Sequence, residues 1–170
     1  GSGINKIEAL IDGGTWFLVN SSASFTDGVH TYQYKVTDNA GNVVATGYTK
    51  NSGTSSDIVT LKLNPSGGLL WEQLYNGPTS ESDRGADLAI DNSGNIYVTG
   101  RTDVDASILS DDNFITIKYD QNGNQLWLRT YGGTAGGEDR AAKIRLAGNG
   151  TVYVAGREWN GTDFDITVVS

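Results

Sequence analysis

The residues from Arg84 to Gly133 read as four short apolar runs of period two, Ala86–Ile90, Asn95–Arg101, Phe114–Tyr119 and Gln125–Tyr131, separated by turns rich in Gly, Asn and Asp. Alternation of this kind marks an antiparallel meander in which one face of each strand turns inward. One such sheet cannot dry its own face, so it must stack on others. The chain supplies them. GNVVATGYT at Gly41–Thr49 recurs as GNIYVTGRT at Gly94–Thr102 and as GTVYVAGRE at Gly150–Glu158, spaced 53 and 56 residues apart. Asp57–Gly77 recurs as Asn113–Gly133, aligning Trp71 with Trp127 and Tyr75 with Tyr131, and a third copy runs only through Asp163–Ser170, before any Trp strand. Four strands per unit at this period are the mark of β-propeller blades. The expected fold class is therefore all-β, with four-stranded antiparallel meanders, about three to the chain.

These repeats resemble the bacterial β-propeller repeat family called SBBP, through its run D-x-x-G-N-x-Y-V-T-G-x-T followed by D-F-x-T-x-K-Y-D-x-x-G-x-x-x-W-x-x-x-Y-x-G. The resemblance covers about residues 38–170 and implies architecture while saying little about chemistry. It divides the chain into propeller repeats at 38–83 and 84–136 and a truncated one at 137–170. Gly1-Ser2-Gly3 is expected to be a cloning scar.

Residues 4–37 admit two readings. Asp12-Gly13-Gly14 is a hairpin signal, and Asp12–Trp16 with Asp27–Asn42 resembles the C-terminal half of a bacterial immunoglobulin-like domain. The earlier strands of such a sandwich are missing, so this fragment could not close one. In propeller register instead, Lys6–Asp12 and Thr15–Asn20 are the third and fourth strands of a blade and Thr31–Asp38 is the innermost strand of the next. Trp16 then precedes Gly41 by 25 residues, where Trp71 and Trp127 precede Gly94 and Gly150 by 23. On that reading the N-terminus offers the outer strand that the last repeat lacks.

A net charge of −8 repels phosphate backbones and anionic surfaces, which argues against nucleic acid and membranes as partners. With no cysteine, disulfide frameworks, thiolate nucleophiles and Cys metal sites are excluded. No run is long and apolar enough to suggest a membrane helix. His30 is the only histidine and lies on an alternating strand, so it reads as an ordinary strand residue. An extracellular or cell-surface location is expected.

The remaining candidates sit on the loops at one end of the blades. Asp103, Asp105, Asp111 and Asp112 gather carboxylate oxygens of the type that Ca²⁺ requires, although their spacing matches no known calcium loop, and plain turn chemistry is the competing reading. Trp159, Asn160 and Asp163 could form a sugar platform, an aromatic face flanked by amide and carboxylate. Arg84 and Arg140 recur just before the innermost strands and are expected to pair with carboxylates of adjoining blades. Trp71, Trp127, Tyr75 and Tyr131 recur in register and are expected in the core.

Propellers close with four or more blades. A chain with about three is expected to complete its ring by self-association, most simply as a dimer, or by sharing strands between its ends. The function expected is a non-catalytic interaction scaffold for protein or glycan partners. The alternatives are a carbohydrate-binding module using the Trp159 loop and a propeller-type glycosidase or lyase. No cofactor is expected other than Ca²⁺.

Overall fold

The computed structural model describes residues 7–11, 14–19, 29–50, 55–79, 81–104, 111–133 and 135–170, and every regular element among them is a strand. A hairpin of β1 (Ile7–Ile11) and β2 (Gly14–Val19) comes first. Blade 1 follows, made of β3 (Val29–Thr37), β4 (Val43–Lys50), β5 (Ser56–Leu63) and β6 (Leu69–Tyr75). Blade 2 is β7 (Arg84–Ile90), β8 (Ile96–Asp103), β9 (Asp112–Tyr119) and β10 (Gln125–Tyr131). Blade 3 has only β11 (Arg140–Leu146), β12 (Val152–Trp159) and β13 (Phe164–Val169). Each blade is an antiparallel meander in sequence order. The four runs of the Arg84–Gly133 stretch thus appear as strands, with boundaries moved by two residues or fewer.

The repeated D-x-x-G-N segments shape one end of the blades. Asp38, Asp91 and Asp120 each accept two backbone N–H bonds through Oδ1, at 2.8–2.9 Å, from the residues two and four positions on. Their Oδ2 atoms accept from the side-chain amides of Asn42, Asn95 and Asn124. The glycine between them, at Gly41, Gly94 and Gly123, has φ of 78°, 80° and 87°, where a side chain would be strained. Local carboxylate bonds and a left-handed glycine are what make this a tight strand reversal.

Neighbouring blades bury each other. β7 lies across β3, β4 and β5, and β11 lies in the same way across β7, β8 and β9. Val44, Ile58, Leu88, Val98, Ile115 and Ile117 fill the first junction, and Tyr97, Phe114, Ala141, Ile144 and Val154 fill the second. Burial of a side chain this large stabilises by roughly 1.5–3 kcal/mol. Pairs of buried threonines, Thr46 with Thr60 and Thr99 with Thr116, sit in the same two junctions, with Thr46 and Thr99 each donating to a carbonyl of the adjacent strand. The alternating pattern records apolar positions and does not reveal these polar pairs.

On the far side of blade 1, Ala45, Leu61 and Leu63 form a third buried cluster, and β1 packs beside β3. That placement repeats the β5–β7 and β9–β11 neighbours. The β1–β2 hairpin also has the register of an outer blade hairpin. Ile11 pairs with Gly14 and Ala9 with Phe17, a one-residue shift. The same shift separates Leu63–Leu69 from Lys62–Trp71 and Tyr119–Gln125 from Lys118–Trp127. β3, which the immunoglobulin-like reading assigned to a sandwich, is hydrogen-bonded to β4 as the first strand of blade 1. The repeat boundary at residue 38 therefore falls at the β3–β4 turn, offset by one strand from the blade.

The sheets do not close into a ring. Among the described residues β2 pairs only with β1, and β13 only with β12.

Candidate functional site

At the loop end of the blades, two buried aspartates tie the segments together. Asp139 accepts the Trp159 N–H through Oδ1 at 2.8 Å and the Gly133 N–H through Oδ2, while its own N–H donates to the Asp112 carbonyl at 2.6 Å. Asp83 repeats the arrangement one blade earlier, accepting from Gly77 N at 2.6 Å and donating to the Ser56 carbonyl. Burial pushes the Asp83 carboxyl above its ordinary value. Both residues stand in the paired Glu81–Arg84 and Glu138–Arg140 segments, where the sequence drew attention to the arginines. The signal that would have found them was their exact recurrence one residue before each arginine.

Arg140 reaches from blade 3 to blade 2. Its Nε donates to Asp112 of blade 2 at 2.8 Å, and its terminal nitrogen donates to Glu138 at 2.6 Å. Arg101 shares the same Asp112 oxygen. Arg84 differs: position 56, equivalent to 112, holds a serine in place of the aspartate. Its guanidinium lies over the Tyr48 ring, 4.6 Å from the centroid, and its Nε has no hydrogen-bond partner among the described residues.

The acidic candidates do not converge. Asp112 is held between two arginines, Asp111 accepts the Gly137 N–H at 3.1 Å, Asp103 lies buried opposite Asp112 at the end of β8, and Asp105 lies outside the described residues. Among the described residues no three potential ligand side chains come together for a metal.

Trp159, Asn160 and Asp163 do share one loop, but their groups serve the loop itself. The Asn160 side chain donates to Asp163 at 2.7 Å and Asp165 at 2.9 Å and accepts the N–H groups of Thr162 and Asp163. Trp159 is half-buried, edge-on to Phe164 at 5.1 Å, so no open platform forms. His30 lies among residues whose side chains are not described.

The recurring aromatics bind blade to blade and are not a fully enclosed core. Trp71 reaches the outer turn of blade 2, donating from its indole N–H to the Gln121 carbonyl at 3.1 Å, and Tyr75 packs half-buried at the same junction. Trp127 packs on Tyr97 at 5.9 Å. Tyr131 is exposed, its ring edge-on to Phe114 and its hydroxyl donating to Glu158 at 3.1 Å. Among the described residues, no fourth strand of blade 3 lies beside the last two.

Among the described residues, no sheet lies across the far face of blade 3 either. Strand register equates Ile166 of blade 3 with Phe114 of blade 2 and Ile58 of blade 1. Phe114 and Ile58 are each 1% exposed, covered by the next blade, whereas Ile166 is 90% exposed. Val168, Phe164 and Tyr153 open on the same face, and Arg157 stacks over Phe164 at 4.3 Å. On the opposite side of blade 3, at its outer edge, a cleft of about 330 Å³ runs between blades 2 and 3, lined by Trp127, Tyr131, Val152, Val154 and Val169 among others. A repeat array with one uncovered end blade is the class of protein that this geometry describes.

The chain carries a beta-propeller repeat: the model of that family matches residues 75–105. No match supports the immunoglobulin-like resemblance of residues 4–42, and no curated protein matches the chain. Among solved structures it is similar to the periplasmic gluconolactonase of Pseudomonas aeruginosa, at 10% identity and a TM-score of 0.32, over 82% of this chain and 56% of that one. The chain thus spans just over half of that protein's length. Because that neighbour is an enzyme, the expectation that the chain is not one is withdrawn. A likeness this weak assigns no activity in its place.

Proposed function

We propose that the chain is a propeller-type interaction scaffold that associates with a second copy of itself through blade 3 to complete a ring. The observation that carries this reading is the exposure of Ile166 at a position buried in both preceding blades. An apolar face of this kind, built like two interfaces already formed within the chain, is a surface awaiting a neighbour. The far side of blade 1, by contrast, already has β1 beside it. Two copies meeting head to tail would bring blade 3 of one to the hairpin end of the other, and closure of that contact gives a symmetric ring.

Light scattering over a concentration series tests the proposal. A mass of twice 18.1 kDa is expected for the native chain, falling to the single-chain mass in Ile166→Asp. A folded, soluble native chain that stays monomeric at every concentration would overturn it.

A further inference from the structure

The two blade junctions carry different charges at their loop ends. Between blades 2 and 3 the Arg140 guanidinium meets two carboxylates, Asp112 through Nε at 2.8 Å and Glu138 through a terminal nitrogen at 2.6 Å. Asp112 receives Arg101 as well. One junction earlier, serines stand in both carboxylate positions. Ser56 is the counterpart of Asp112: each opens the third strand of its blade, and each carbonyl accepts the N–H of the next linker aspartate, Asp83 or Asp139. Ser82 is the counterpart of Glu138, two residues before the arginine. Tyr48 is the counterpart of Arg101, since Tyr48 pairs with Ile58 where Arg101 pairs with Phe114.

The junction between blades 1 and 2 therefore holds a cation to which the protein supplies no anion. The Arg84 guanidinium lies over the neutral Tyr48 ring at 4.6 Å, and among the described residues it has no ion pair with a carboxylate. Its Nε and the Ser56 Oγ are buried donors without a hydrogen-bond partner among the described residues, and Ser56 is 0% exposed. Asp83, although next to Arg84 in the chain, turns its Oδ2 to the Gly77 N–H, and burial pushes its carboxyl above the ordinary value. Arg101 registers the excess of positive charge. Burial lowers its pKa, and the Arg140 and Arg84 charges lower it further against the pull of Asp112. An arginine cannot relieve such a position by losing its proton, and buried donors left unbonded are costly.

We infer that this junction binds a small monovalent anion of the size of chloride, held between Arg84 Nε and Ser56 Oγ where the next junction has the Asp112 carboxylate. A serine in place of an aspartate frees room for one halide ion and too little for sulfate, phosphate or a sugar acid. The net charge of −8 disfavours anions at long range, so binding depends on direct contact in an enclosed place, where Coulombic attraction is less screened than in water. The site lies within one chain and is independent of the self-association proposed above.

Thermal unfolding of the full chain, followed by circular dichroism in sodium chloride and in sodium gluconate of equal ionic strength, tests the site. Chloride at about ten times its dissociation constant should raise the melting temperature by about 3–6 °C over gluconate, which is too large to enter. Ser56→Asp supplies the carboxylate from the chain and should melt at the same temperature in both salts. Arg84→Gln removes the cation and should lose the difference too, which keeps the test decisive if Ser56→Asp does not fold. A crystal grown in sodium bromide should show an anomalous peak beside Arg84 Nε and Ser56 Oγ. Equal melting of the native chain in the two salts overturns the inference and leaves water as the partner of these donors. A chloride effect that survives in Arg84→Gln overturns it as well, as a general salt effect, and so does a bromide crystal without that peak.

Discussion

Replacement of Asp139 tests whether buried carboxylates, more than the recurring arginines, hold successive blades in place. Asp139 is 1% exposed and receives two backbone N–H groups from different segments, Gly133 at the end of blade 2 and Trp159 at the end of β12. Truncation to alanine removes both acceptors. An unsatisfied buried donor costs roughly 1–3 kcal/mol, and bonds to an ionised acceptor lie at the strong end of that range. Gly133 is only half-buried and can take up water, so its share is the smaller. Asp139→Ala should therefore lower stability by about 2–4 kcal/mol, a large part of the 5–15 kcal/mol that a typical domain has. Asp139→Asn keeps the shape and one carbonyl oxygen but turns an amide donor toward the other N–H, and should cost about half as much. The exposed Asp163→Ala, whose carboxylate only closes a turn, should stay within about 0.5 kcal/mol of the native chain. Equilibrium unfolding in urea, followed by tryptophan fluorescence, measures all three. If Asp139→Ala and Asp163→Ala unfold at the same urea concentration with unchanged slope, the carboxylate is not holding the blades together and the account of the junction is wrong.

Gly123 and Gly150 share a φ of 87°, but a Cβ at Gly123 would meet the Trp71 ring at 2.9 Å while one at Gly150 meets nothing within 4 Å. Gly150→Ala should cost about 1–2 kcal/mol for the left-handed backbone alone, and Gly123→Ala a further 1–3 kcal/mol or so for the displaced indole; equal urea midpoints would refute the Trp71 contact. Burial pushes the Asp38 carboxyl up, but the Lys62 ammonium and the Asn42 and Ala40 donors outweigh it and hold the group at about 2, below its ordinary 3.8. A depressed folded value favours the native state above the unfolded value, and this contribution is lost as pH falls from 3.8 toward 2. Urea midpoints of the native chain should therefore drop more steeply across that window than those of Asp38→Asn, and parallel curves would remove Asp38 from the acid response.

Much of this architecture was legible in the chain because its causes are local and repeated. Period-two alternation between Ala86 and Tyr131 sets strands, and Asp followed three residues later by a left-handed Gly sets turns; both act within a few residues of each other, and repetition averages out the ambiguity of any single run. The recurrence of Arg84 and Arg140 did not reveal their partners, because the facing position is not conserved between blades: Asp112 meets Arg140, whereas the equivalent residue near Arg84 is Ser56, and both are brought near only by stacking. The acidic and Trp159 loops misled for a related reason. Asp112, Asp111, Asn160 and Asp163 look available in sequence, yet Arg140 and the Gly137 N–H arrive with the neighbouring segment to occupy the first two, and bonds within their own loop occupy Asn160 and Asp163.

The amino-acid sequence by itself determined that this protein is a stack of antiparallel meanders, since this follows from short-range pattern and repetition. Only the tertiary structure decided which faces those units cover. It showed Ile166 open where Phe114 is closed, and gave the β1–β2 hairpin the register of an outer blade hairpin at the far end of the stack. The physical reason is that hydrogen-bonded alternation fixes what a strand is, whereas burial depends on what lies across from it, and that neighbour is set by distant segments of the chain.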